Sequence, residues 1–174
     1  MRIDTMNTAV KEFFRTEEMP TPGYFINFPD NCHKKYATPG IIRKLTFPRG
    51  MFEHKQSRNT STFFFNGTAV SEEYIKNILK TLDPDVSCMF RKSYTFDVRG
   101  TGLPLEEACS CSDLEEIVVG DHHILLFDAG YRGVYVSVDG MTKWLTACPE
   151  DLFSWLNYKK ITGQVKAIVV WENP

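Results

Sequence analysis

Apolar and polar positions alternate along this chain with two different periods, and the periods mark its elements. Met6, Val10, Phe13 and Phe14 recur at i, i+4, i+7 and i+8, so residues 5–18 read as a helix that Pro20 ends. Two similar segments follow, "TPGYFINFP" (21–29) and "TPGIIRKLTFP" (38–48). Each pairs a Pro-Gly suited to a type II turn with a β-rich run closed by Phe-Pro, which predicts strands at 24–28 and 41–47. "TSTFFF" (60–65) predicts a third strand and Asn66-Gly67 a turn. Ser71 begins a helix with Glu72 and Glu73 in its first turn, an apolar face of Ile75, Ile78, Leu79 and Leu82, Lys80 near its end and Pro84 as its stop.

Residues 86–98 read as a long strand. Pro104 suits the opening of a short helical turn, and Ser112 with Glu115 fits a capping box. The favoured reading is a helical turn near 113–116, then strands 117–119 and 122–128 around a Gly120-Asp121 loop. "GVYVSVDGMTKWLT" (133–146) is a hairpin about Asp139-Gly140, the preferred type I′ pair. That turn sets Val138 opposite Met141, Val136 opposite Lys143, Val134 opposite Leu145 and Tyr135 opposite Trp144. Pro149 opens a last helix with Leu152, Trp155 and Leu156 on its apolar face. Lys159 and Lys160 follow, Gly163 lies past the end, and 164–172 is a final strand. Hairpins outnumber crossovers, so the expectation is a single α+β domain, mostly antiparallel, with helices packed on one face.

Length and composition fit that picture. A chain of 174 residues suits one domain, or at most two small ones, and buries roughly 70% of its unfolded surface without a disulfide or metal staple. The N-terminal stretch holds no apolar core of a secretion signal, and no run approaches the ~20 apolar residues of a membrane span. The five cysteines are odd in number and scattered, which reads as reduced thiols in a cytoplasmic protein rather than a disulfide framework.

Net charge is only −2, yet the charges segregate. Residues 33–58 hold seven Lys or Arg against one acid, whereas 95–128 hold eight acids against one base. An acidic segment attracts a basic partner. The alternative is that the two segments neutralise one another or are simply solvated. The basic segment interleaves Lys34, Lys35, Arg43, Lys44, Arg49 and Arg58 with Tyr36, Phe47, Phe52 and Phe63, a pattern a single-stranded nucleic acid favours. Arg43 and Lys44 point to opposite faces of a strand, however, and a pI near 6.1 argues against a nucleic-acid binder.

Candidate chemistry is sparse. Cys109, Cys111 and one of His122 or His123, with Asp113 or Asp121, make a conceivable zinc set, but Cys-x-Cys is tighter than the usual spacing and adjacent histidines diverge in a strand. Cys32-His33, or Cys109 or Cys111 with a histidine, leaves a small Cys/His enzyme as the alternative class. Asp121-His122-His123 matches one short motif of a phosphoesterase family whose other aspartate motifs are not present. Phosphate-loop, dinucleotide and nucleophile-elbow motifs are missing.

"ILLFDAGYRGVYVSVDG" followed by "CPEDLFSWL", spanning 124–156, resembles the SMI1/KNR4-like immunity proteins. Gly130 and Gly133 match as turn glycines, while that family's early Pro-containing helix and Asn-Gly segment lie elsewhere. The resemblance implies an immunity protein that neutralises a polymorphic bacterial toxin, including those of contact-dependent growth inhibition. The expectation is therefore a non-enzymatic cytoplasmic toxin inhibitor with no cofactor and no metal. Its partner would be a cognate toxin, a nuclease for example, with a basic surface, and not a membrane; a nucleic-acid or regulatory adaptor using the basic 33–58 segment stands as a further alternative. The partner-binding candidates are the acids Glu106, Glu107, Asp113, Glu115, Glu116 and Asp121, with Tyr131 and Arg132 as loop anchors.

Overall fold

In a computed structural model of the chain, residues 2–20, 36–83, 86–110, 114–128, 133–145 and 149–172 are described. They divide into two compact units, Met1–Met19 with Gly40–Ser93 and Pro20–Pro39 with Tyr94–Pro174. The α+β class expected from the sequence holds, and all the strand ladders given below are antiparallel.

The first unit contains α1 (Arg2–Phe14), β1 (Thr38–Phe47) from Gly40 onward, β2 (Gly50–Gln56), β3 (Ser61–Phe65), β4 (Thr68–Val70), α2 (Glu72–Thr81) and the start of β5 (Met89–Asp97). Its strand order is β4-β3-β2-β1-β5. Because side chains alternate along a strand, one face carries the rows Leu45–Phe52–Phe65 and Arg43–His54–Phe63–Val70. Ala9 and Phe13 of α1 and Ile75 of α2 close over Leu45, Phe47, Phe52 and Phe63 as one core. Its rings are 4.9 Å apart for Phe47–Phe52 and 5.0 Å for Phe52–Phe65. Burying each such ring contributes about 1.5–3 kcal/mol.

Several local expectations hold in this unit. Ser71 caps α2 by accepting from Tyr74 N at 3.1 Å. Asn66 and Gly67 both take positive φ in the β3–β4 turn, and Asn66 Oδ1 also accepts from Met51 N. Others are corrected. Helix α1 ends at Phe14 rather than 18, because the apolar stripe stops there and the next residues bond to the sheet: Gln56 Nε2 donates to the Glu17 carbonyl at 2.6 Å. Thr38–Gly40 are strand rather than a type II turn. Pro39 stands near the strand's start, where its missing N–H costs least, and Gly40 is buried without a positive φ. Strand β2 was not expected at all. The predicted strand 24–28 lies outside the described residues.

The second unit contains the end of β5, then α3 (Leu105–Ala108), β6 (Leu114–Val119), β7 (His122–Asp128), β8 (Val134–Val138), β9 (Met141–Leu145), α4 (Pro149–Tyr158) and β10 (Val165–Trp171), in strand order β5-β10-β6-β7-β8-β9. The helical turn expected near 113–116 is overturned. Leu114–Val119 is strand, paired with both β10 and β7, and two ladders outweigh one local capping pattern. The short helical turn expected to open at Pro104 is present, as Leu105–Ala108. The 133–146 hairpin has the expected register throughout, with Asp139 and Gly140 at positive φ. Ile117, Val119, Ile124, Leu126, Val136 and Val138 make the buried side of the sheet, and Leu152 and Leu156 of α4 are buried too.

An open aromatic face on strands β7 to β9

The opposite side of strands β6–β9 is not uniformly polar: beside Glu116, His123, Ser137 and Thr142 it carries large apolar side chains. Register places Phe127 across from Tyr135 and Tyr135 across from Trp144, one aromatic row over three strands. The three are 50%, 46% and 45% exposed, and Leu125, two residues from Phe127 on the same face, is 38% exposed. In an antiparallel sheet open to water on one side that face ordinarily carries polar residues, so a row of large apolar side chains makes this face a candidate contact surface. The alternation Val-Tyr-Val-Ser-Val in β8 produces it, since turning the valines inward turns Tyr135 outward.

Gly133 sets the end of the row. Its φ is +135°, and a methyl group there would stand 2.2 Å from the Leu145 carbonyl oxygen and 2.9 Å from the Trp144 ring. The glycine thus lets the indole lie close over the backbone at the start of β8.

Charged groups frame the face. Glu116 lies across from Leu125, and its Oε1 is 2.6 Å from His123 Nδ1. The β6–β7 and β8–β9 turns share one end of the sheet, where His122 Nδ1 is 2.9 Å from Asp139 Oδ2 and Asp121 is exposed. Lys143, across from buried Val136 and so on the other side of β9 from Trp144, is exposed on the last strand in the order, where a lysine discourages uncontrolled pairing.

The acids picked out in the sequence separate on this frame. Glu106 is exposed on α3, Glu107 is half-buried, Glu116 belongs to the framed face and Asp121 is exposed at its end. Glu115 departs from the expected outward surface: strand alternation puts it on the buried side with Ile117 and Val119, 7% exposed. Asp113, Tyr131, Arg132 and Gly130 lie outside the described residues. Leu125, Phe127, Tyr135 and Trp144 were not among the expected contacts, although the hairpin register already paired Tyr135 with Trp144.

The remaining candidates fare differently. Arg43, central to the basic segment, is 1% exposed and pairs with Glu17, whereas Lys55 is exposed and sits 4.8 Å over the Phe64 ring. Lys34 and Lys35 lie outside the described residues. Cys109 is buried, and burial pushes the Cys88 thiol up, the direction of a poor nucleophile. His122 and His123 each lean on a carboxylate, and among the described residues no group of three or more His, Cys, Asp or Glu is placed to hold a metal. Among the same residues no helix is long and apolar enough to cross a membrane.

Comparison of the chain with protein-family models, with curated proteins and with solved structures finds no match.

Proposed function

We infer that this chain is a non-enzymatic binding protein that takes a protein partner on the open face of strands β7–β9. Its concrete role is that of a cytoplasmic immunity protein neutralising a cognate bacterial toxin. The observation that carries the reading is the Phe127–Tyr135–Trp144 row. Tyr and Trp dominate interface hot spots because each buries a large, nearly rigid area, and a flat row of them on a braced sheet is already organised for contact. Exposed Asp121 and Glu106, with Glu116 on the face and Asp139 at its end, favour a basic partner, such as a toxin that acts on nucleic acid. The acids steer and orient, while the aromatics supply the affinity.

The test is growth rescue. The chain is co-expressed with the toxin domain encoded beside its gene, and protection is scored by colony count. Wild type is expected to restore growth, and complex formation in vitro is expected to weaken steeply with salt and after Glu106→Lys with Asp121→Lys. Failure to protect against, or to bind, such a toxin domain would sink the reading.

A further inference from the structure

The first unit holds a device unrelated to that binding face. His54 is fully buried and gripped from several elements at once. Its Nδ1 lies 2.7 Å from the carbonyl oxygen of Phe13, in the last turn of α1, and its Nε2 3.0 Å from Ser61 Oγ on β3. A carbonyl only accepts, so Nδ1 carries the proton and donates, and in the neutral ring Nε2 accepts from the Ser61 hydroxyl. Phe63 stacks on the imidazole at 4.4 Å, and Phe13 meets it edge-on at 5.9 Å. Directly across the strand pair stands Arg43, itself buried. Arg43 Nη1 donates to Gln56 Oε1 at 2.8 Å and Nη2 lies 3.4 Å from Glu17 Oε1, which also pairs with Lys92. Glu72 of α2 is the further charged group acting on the ring.

The neutral imidazole makes both hydrogen bonds. A second proton would put a charge on a fully buried ring directly across from an arginine that never loses its own charge, a cost that donation to Ser61 Oγ and the flanking rings offset only in part. We propose that His54 is an acid-operated latch: its protonation releases the C-terminal end of α1 from the sheet and bares the aromatic surface of Phe52 and Phe63 beneath. Phe13 joins the helix to the ring on both counts, through its carbonyl and through its side chain, so lifting α1 is the direct route by which water reaches the charged ring.

The electrostatics agree in sign. Burial first, and Arg43 with it, hold the His54 pKa below its ordinary value of 6.5, against the opposing pull of the Phe13 carbonyl and Glu72. The open form therefore binds the extra proton. The closed form keeps its full advantage above pH ~6.5 and loses it as pH falls towards the lowered value, by up to about tenfold in the closed-to-open ratio per pH unit. The Glu17 carboxyl is held below 4.5, so it stays charged throughout this window.

The experiment follows amide exchange of α1 in the full chain from pH 7.5 to 5.0, corrected for intrinsic rates. Bis-ANS fluorescence and the His54 ring resonances are recorded on the same samples. Exchange at Ala9–Phe14 is expected to rise by up to about tenfold per pH unit below ~6.5, together with dye binding and His54 protonation, while far-UV circular dichroism holds. In His54→Gln, which can still donate to Phe13 and accept from Ser61 without titrating, the profile is expected to be flat. If that variant does not fold, coincidence of α1 exchange with His54 protonation in wild type decides alone. A flat wild-type profile, a rise that His54→Gln retains, or a rise uncoupled from the His54 resonances would overturn the latch.

Discussion

Both units build rows of aromatic side chains across antiparallel strands, and they use them in opposite ways. In the first, the Phe52–Phe65 pair lies under α1 and α2, and Phe52 is fully buried. In the second, Phe127, Tyr135 and Trp144 form an equally regular row that stays about half exposed. The cross-strand chemistry is the same, but one row works for folding and the other is left over from it. A fold that only needed to be stable would gain by covering the second row or replacing it with polar residues, so its openness is the better pointer to function.

The largest test of this contrast is in the buried row. Phe52→Ala is expected to destabilise the protein by about 3–5 kcal/mol, measured by urea unfolding, because the cage of Phe13, Phe47 and Phe65 cannot collapse onto the void. Gly133→Ala comes next. Its methyl would press on the Leu145 carbonyl and the Trp144 ring at a left-handed φ, so a loss of about 1–3 kcal/mol is expected together with a changed Trp144 emission. Lowering the pH probes a third site. Burial pulls the Glu17 carboxyl up, but Lys92 and Arg43 outweigh it and hold it below its ordinary value. Its contribution is therefore complete above pH ~4.5 and fades as pH falls through the lowered value, and Glu17→Gln is expected to flatten that acid limb. The smallest effect on folding is expected from Trp144→Ser, under about 1 kcal/mol, since the indole stands half in water.

The hairpin β8–β9 and helix α2 were legible in the sequence because each is specified locally. Asp139-Gly140 admits one turn and hence one register, and Ser71 with two acids marks one helix start. Strand β2 was hidden because its charged residues read as a basic patch. Phe52 and His54 alternate inward between Glu53 and Lys55, a period-2 pattern that the charge obscured. Strand β6 was misread where a local capping pattern at Ser112 and Glu115 competed with two non-local ladders. The same non-locality concealed the site. Pairing put Tyr135 beside Trp144, but which side of a sheet stays open depends on where distant helices pack, as the burial of Glu115 also does.

The central claim is that the open row is a binding surface and dispensable for the fold. It is tested most directly by the affinity of a folded Tyr135→Ser/Trp144→Ser protein for the proposed toxin-domain partner, compared with that of wild type by titration calorimetry. Loss of two hot-spot aromatics is expected to weaken binding at least about 100-fold, near 2.7 kcal/mol, with the urea midpoint almost unmoved. Binding within threefold of wild type would contradict it.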